Sequence, residues 1–234
     1  MSVEHLIKKL IELESWYETP VGKKAYELVV NQVACRVDQI YPSYLLQIGG
    51  RSIYRRACDH GQVFVHLDPR DGLSSNGLNV CCDLTGLHLP VPANQFSMVI
   101  CPYVHEMVDD SVALFEELSR VVCENGFVVL VGINMASVWG IEYLMGRLVK
   151  PQWAGSIYSL TSLLKILKRY DLSLEQYETV FFTPYTYLLP NRVSQIMDYL
   201  GHRYWPKRGS IEIIWLQKKE EAFVLSNQVS TLRL

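Results

Sequence analysis

The stretch YLLQIGG, Tyr44 to Gly50, carries a short apolar segment, broken only by Gln47, into two adjacent glycines. A nearly continuous apolar run suits a strand buried on both faces, and glycines directly after it supply a turn that tolerates positive φ and close backbone approach. In α/β proteins the turn after the first strand commonly grips a nucleotide-like cofactor. Here arginine follows the glycines at position 51, and glutamine stands at position 47, where such turns often hold an acid. These two departures decide how the site is read.

Further runs of the same kind follow at Val63 to Leu67, Leu78 to Cys82, Phe96 to Cys101 and Phe127 to Ile133. Between the last two lies a helical pattern: Asp109 or Asp110 can cap it, Val112, Leu114, Phe115, Leu118, Val121 and Val122 give its apolar side, and Gly126 ends it. Later, residues 137–150 and 161–170 read as helices, 174–182 as a strand, 191–200 as a helix and 210–217 as a last strand. Two helices open the chain, at about residues 3–15 and 20–39, the second begun by Pro20. In the first, Val3, Leu6, Ile7 and Leu10 share a face, with Lys8, Lys9, Glu12 and Glu14 largely opposite. Strands alternating with helices predict a parallel sheet with right-handed crossovers, hence a doubly wound α/β core. We expect a single domain over 1–218, with 1–42 as a helical lead-in, and a tail over 219–234.

With 49% hydrophobic and 20% charged residues, the composition is that of a globular protein. A net charge of -2 gives no broad cationic surface for nucleic acid; Arg51, Arg55 and Arg56 form a local patch, read as a solvated helix face. The cysteines at 35, 58, 81, 82, 101 and 123 show no paired metal-ligand spacing, which favours a reducing, cytoplasmic setting. No segment reads as a signal peptide or a membrane span.

Three strings then resemble the class I S-adenosylmethionine-dependent methyltransferases, in particular small bacterial methyltransferase-domain proteins. They are WYETPVGKKAY (Trp16 to Tyr26), DLTGLHLPVPANQFSMVICPYVHEM (Asp83 to Met107) and LFEELSRVVCENGFVVLVGINMASVWG (Leu114 to Gly140). The resemblance covers most of the chain and implies a Rossmann-like, seven-stranded, mostly parallel sheet whose last strand is antiparallel. It also implies S-adenosylmethionine as cofactor, held by Gly49 and Gly50 in the turn, by Asp68 on the ribose hydroxyls and by Asp83 near the adenine amino group. The family's acid-x-Gly-x-Gly turn would place an acid at Gln47 and a glycine at Arg51, and this sequence has neither. A cation at position 51 would stand close to the cofactor's sulfonium, a repulsive pairing.

Methyl transfer is an in-line displacement, so alignment matters most and a base adds to it. His105, with a pKa naturally near neutrality, is the candidate base, with Tyr103 and Glu106 behind it; the alternative is a hydrogen-bonded scaffold histidine. Asp68 and Asp83 are equally readable as turn-capping acids. Asn134 and Trp139 could line a pocket mouth. Phe181, Phe182, Tyr185, Tyr187, Tyr204 and Trp205 could form a substrate lid, a partner surface or ordinary core. HEMVD lacks the second histidine of a zinc-protease helix, since Asp109 stands there, and no Gly-x-Ser-x-Gly elbow occurs.

Two functional readings stay open. One is a working methyltransferase with a relaxed glycine turn. The other is a degenerate descendant with weak or lost cofactor binding, serving as a binding module or subunit of a protein assembly. The altered turn favours the second, Asp68 and Asp83 the first. The second also predicts that Arg51 or an aromatic side chain such as Tyr54 fills part of the groove.

Overall fold

A computed structural model describes residues 2–53, 62–70, 78–85, 88–144, 157–182, 196, 199–201 and 203–219. The opening helices are α1 (Val3–Tyr17) and α2 (Pro20–Ile40). Ser2 and Thr19 cap them through their side chains, and Pro20 occupies the first turn of α2, where its missing N–H costs nothing. Then come β1 (Tyr44–Ile48), β2 (Val63–Asp68), β3 (Leu78–Cys81), β4 (Phe96–Pro102), α3 (Val104–Met107), α4 (Ser111–Val121) and β5 (Val122–Ile133). The chain continues through α5 (Val138–Leu144), α6 (Leu160–Leu167), β6 (Leu172–Val180) and β7 (Ile211–Lys218).

All seven strands join one sheet in the order β3-β2-β1-β4-β5-β7-β6. Pairings among β1 to β5 are parallel, and β7 runs antiparallel to both β5 and β6. This is the doubly wound, Rossmann-like sheet with an antiparallel last strand that the apolar runs and the resemblance lead one to expect. The inner strands β1, β4 and β7 are almost wholly buried, which is why their sequences do not alternate. Strand order reverses at β1 and β4, so the carboxyl ends of these two strands define the crevice where a ligand would sit.

Several local expectations are corrected. The helix after Asp110 ends at Val121, not at Gly126: Val122 already pairs with Phe96, and the sheet register shifts before Phe127 pairs with Met98. Asn125, at φ 60°, turns the chain inside this long strand. The short helix α3 has no apolar period and was not expected. Lys9 and Glu14 do not face solvent. Lys9 is buried and its Nζ donates to the Met107 carbonyl at 2.8 Å. The expected helix at 137–150 is described only as far as Leu144, and that at 191–200 only in part; Tyr54, Arg55, Arg56, Cys58, Tyr185, Tyr187 and the tail after Lys219 fall outside the described residues.

The lead-in helices are part of the core. Leu6, Leu10, Leu13, Trp16 and Tyr17 of α1 are buried, as are Ala25, Val29, Val33 and Val37 of α2. At about 1.5–3 kcal/mol per fully buried large apolar side chain, this face alone fixes α1 firmly against the body. The turn between the helices is tight: a Cβ on Gly22 would lie 2.0 Å from the Trp16 carbonyl oxygen.

Candidate cofactor groove

The groove at the end of β1 begins with the two glycines, both left-handed at φ 67° and 68°. A Cβ on Gly49 would meet Val104 Cγ2 at 2.7 Å, Leu84 Cδ1 at 3.6 Å and Leu10 Cδ2 at 3.7 Å. The space over this glycine is therefore filled by side chains from α1, α3 and the loop after β3. Gly50 is more open, its nearest neighbour being Pro102 Cγ at 3.4 Å.

Gln47 explains how the turn stands without its acid. The buried amide donates from Nε2 to the carbonyls of Gly49 and Arg51, both at 3.0 Å, while Oε1 accepts from the Ile53 N–H at 2.9 Å. A carboxylate could accept from Ile53 but could not donate to the two carbonyls, so glutamine closes this turn upon itself. Arg51 turns toward α1. Its guanidinium pairs with Glu14 and Glu18 of α1 and lies over the Tyr26 ring at 5.4 Å, and the Tyr26 hydroxyl donates to the Ser52 carbonyl. The expected solvated cation is a strut between the glycine turn and the lead-in.

Asp68 lies where the resemblance puts a ribose acceptor, at the carboxyl end of β2, but its oxygens are engaged. Arg70 grips it through two parallel contacts, Nε to Oδ1 at 2.7 Å and Nη2 to Oδ2 at 2.8 Å, and the Arg70 backbone N–H adds a third at 2.9 Å to Oδ1. The Arg70 guanidinium also lies 3.6 Å from Glu14. Acid and arginine are both largely buried, the geometry in which a guanidinium–carboxylate pair is strongest. Glu14 thus bridges Arg51 and Arg70, and burial pushes its carboxyl above the usual range. Asp83 is exposed and accepts from the backbone and hydroxyl of Thr85, at 2.7 and 2.6 Å, in a local turn.

His105 lies on α3 beneath the groove, fully enclosed, and burial pushes its pKa down to about 4. Its carbonyl accepts from Ser111 Oγ at 2.6 Å, and its ring stands 6.2 Å from that of Phe115. Neighbouring Glu106 is buried too; Oε1 accepts from the Ile133 N–H at 2.6 Å. Burial drives this carboxyl well above its ordinary range, with Glu212 of β7 adding to the effect. Gly132 makes room for both residues, since a Cβ there would lie 2.5 Å from Glu106 Oε1 and 3.1 Å from His105 Nε2. Glu212, paired in register with Gly132, accepts from the Tyr177 hydroxyl at 3.0 Å, and burial raises its pKa to about 7.

Aromatic rings continue across the strand ends. Trp16 meets Trp139 edge-on at 5.8 Å and Trp139 meets Phe181 at 5.5 Å, while Tyr17 touches Tyr26 and Tyr103. Trp139 and Phe181 are core residues, not the lining of a pocket mouth. Asn134 is buried as well: its Nδ2 donates to the carbonyls of Lys207 and Gly209, at 3.0 and 2.8 Å. The parts of this site that sequence reasoning missed are Glu14 and Arg70. The signal for Arg70 was its place two residues after Asp68, within reach of a turn-capping carboxylate.

Residues 50–130 match the family model described as a methyltransferase domain. Solved structures of the same fold include an S-adenosylmethionine-dependent methyltransferase from Thermotoga maritima, described as a possible histamine N-methyltransferase. It is 15% identical, with a TM-score of 0.62, over 93% of this chain and all (100%) of that one. The cyclase SpnF is 16% identical, with a TM-score of 0.58, over 86% of this chain and 83% of its own. A chain from the Haloferax volcanii complex of the Trm112 methyltransferase activator with a methyltransferase is 12% identical, with a TM-score of 0.55, over 76% and 83%. No curated protein matches the sequence. In fold the chain is similar to S-adenosylmethionine-dependent methyltransferases, and in sequence residues 50–130 match a methyltransferase domain. Among the described residues no acid, histidine or cysteine cluster suits a metal ion, and no helix is long and apolar enough to cross a membrane.

Proposed function

We propose that this chain is a methyltransferase-fold binding module whose affinity for S-adenosylmethionine is weak or lost, because the lead-in helices and the turn close the cofactor groove from within. The observation that carries this reading is the Arg70 clamp on Asp68. A ribose diol needs two free acceptors, whereas Oδ1 already takes two donors and Oδ2 a third. Support comes also from Gln47, spent on its own turn, and from the side chains packed over Gly49. In this arrangement the residues present do not fit the cofactor. His105 then belongs to the scaffold, neutral and enclosed by burial. One fold hosts many functions, and a neighbour named as a cyclase and another solved with a protein activator fit that breadth. On this reading the partners are other macromolecules.

The second reading, an active methyltransferase on an acceptor of unknown kind, draws support from the left-handed glycines and from Asp68 and Asp83 at the ends of adjacent parallel strands. Thermal denaturation separates the two, since a ligand of the folded state must raise its stability by mass action. With S-adenosylmethionine or its demethylated product at millimolar concentration, we expect no change in the melting temperature. A rise that Asp68→Ala abolishes would establish the second reading in place of the first.

A further inference from the structure

Beside α5 lies a face that neither the groove nor the core accounts for. Ile196 is 56% exposed, Tyr199 71%, Tyr204 66% and Trp205 61%, and Leu200, Val138 and Ile141 are also exposed. Of these, Val138 of α5, Leu200 and Trp205 share a groove of about 380 Å³ with Phe182, Gly201 and Arg208, and the Tyr204 ring stands 6.2 Å from that of Trp205. Exposed large apolar residues gathered in this way mark an interaction surface, whereas single ones do not.

The display is also held firmly. Asn134 grips the carbonyls of Lys207 and Gly209; Thr179 Oγ1 donates to the Pro206 carbonyl at 2.8 Å and accepts from the Gly209 N–H at 2.9 Å. Gly201 permits the Phe182 ring to lie directly beneath it, where a Cβ would approach ring carbons to 2.3 Å. Two buried polar side chains and a glycine thus fix a loop whose own aromatic rings point to water.

Charge selects the occupant. Arg203, Lys207 and Arg208 are exposed among these rings, and no acid occurs between Asp198 and Glu212, the latter buried. In a chain of net charge -2 this is a local cationic segment. Tyr and Trp with aliphatic neighbours and a basic rim match a lipid–water interface, where the rings sit at headgroup depth, aliphatic chains enter the acyl boundary and cations meet anionic headgroups. A single-stranded nucleic acid would use the rings and cations but gain little from Ile196, Leu200, Val138 and Ile141. We propose that this face seats the protein on an anionic phospholipid bilayer, a peripheral contact independent of whether S-adenosylmethionine binds.

The test is co-sedimentation of the full chain with vesicles of phosphatidylcholine alone or mixed with phosphatidylserine. Binding should require phosphatidylserine and weaken with salt. The triple variant Arg203→Gln, Lys207→Gln, Arg208→Gln should lose roughly a hundredfold in partitioning. Tyr204→Ser with Trp205→Ser should lose about tenfold or more at unchanged melting temperature, since both side chains are exposed. Bound wild type should show a blue-shifted tryptophan emission, and Trp205→Phe should lack that shift. Failure to sediment with anionic vesicles, equal sedimentation with neutral ones, or partitioning unchanged in the aromatic variant would overturn the proposal. So would retention on a single-stranded oligonucleotide without any binding to vesicles.

Discussion

Arg70→Ala is expected to cost about 3–5 kcal/mol of folding stability at neutral pH, the range for leaving one partner of a buried ion pair uncompensated. Asp68 is almost fully buried, and Arg70 supplies three of its contacts, so no solvent is poised to take the arginine's place. The loss should appear as a lower urea midpoint at unchanged slope, which reports stability without a change in the surface exposed. Asp68→Asn in the same chain should recover most of it, because the uncompensated charge is then gone, and the double-mutant cycle should return a coupling of the same order. If Arg70→Ala and wild type unfolded at the same midpoint, the clamp would contribute nothing and the closed groove would need another explanation.

Glu212→Gln should stabilise the protein by roughly 3 kcal/mol above pH 8 and have little effect near pH 4. The carboxyl has a folded pKa of about 7 against an ordinary 4.5, because burial disfavours its charged form. Between these values the unfolded chain releases a proton that the folded chain keeps, so the contribution of Glu212 to stability falls as pH rises from 4.5 to 7 and then levels, while the buried, neutral His105 acts in the opposite sense in wild type and variant alike. Glu106, raised by burial and by Glu212, adds to the decline in the same sense, while Tyr177 supplies the donor that limits it. Glutamine carries no titrating proton and still accepts from Tyr177, so the variant should keep its stability at high pH. Chemical denaturation of both proteins at several pH values measures this, and a difference between Glu212→Gln and wild type that did not grow from pH 4 to pH 8 would contradict it.

The sheet was legible because burial on both faces leaves a direct mark. Tyr44 to Ile48, Phe96 to Cys101 and Phe127 to Ile133 are apolar without alternation, and each is a strand. Boundaries were less legible where tertiary contacts set them. β5 starts at Val122 because β4 offers it Phe96 as a partner, and the pattern of residues 122–126 alone reads as the end of a helix. The site was legible as positions and not as partnerships. Asp68 and the glycines stand where the fold puts ligand groups, yet the arginine that engages Asp68 is itself held from α1, more than 50 residues earlier, by Glu14. Helical periodicity assigned Glu14 to the solvent side, because the amphipathic pattern shows which residues are apolar but not where an acid finds a buried cation. Gln47 was legible as a departure from a pattern; its donation to two carbonyls is a property of the folded turn.

What most directly tests a groove closed by its own chain is a crystal structure grown with millimolar S-adenosylhomocysteine. The account predicts Arg70 on both oxygens of Asp68, Gln47 on the carbonyls of Gly49 and Arg51, and no nucleoside between them. A ribose whose hydroxyls are bound to Asp68, with Arg70 displaced, would contradict it.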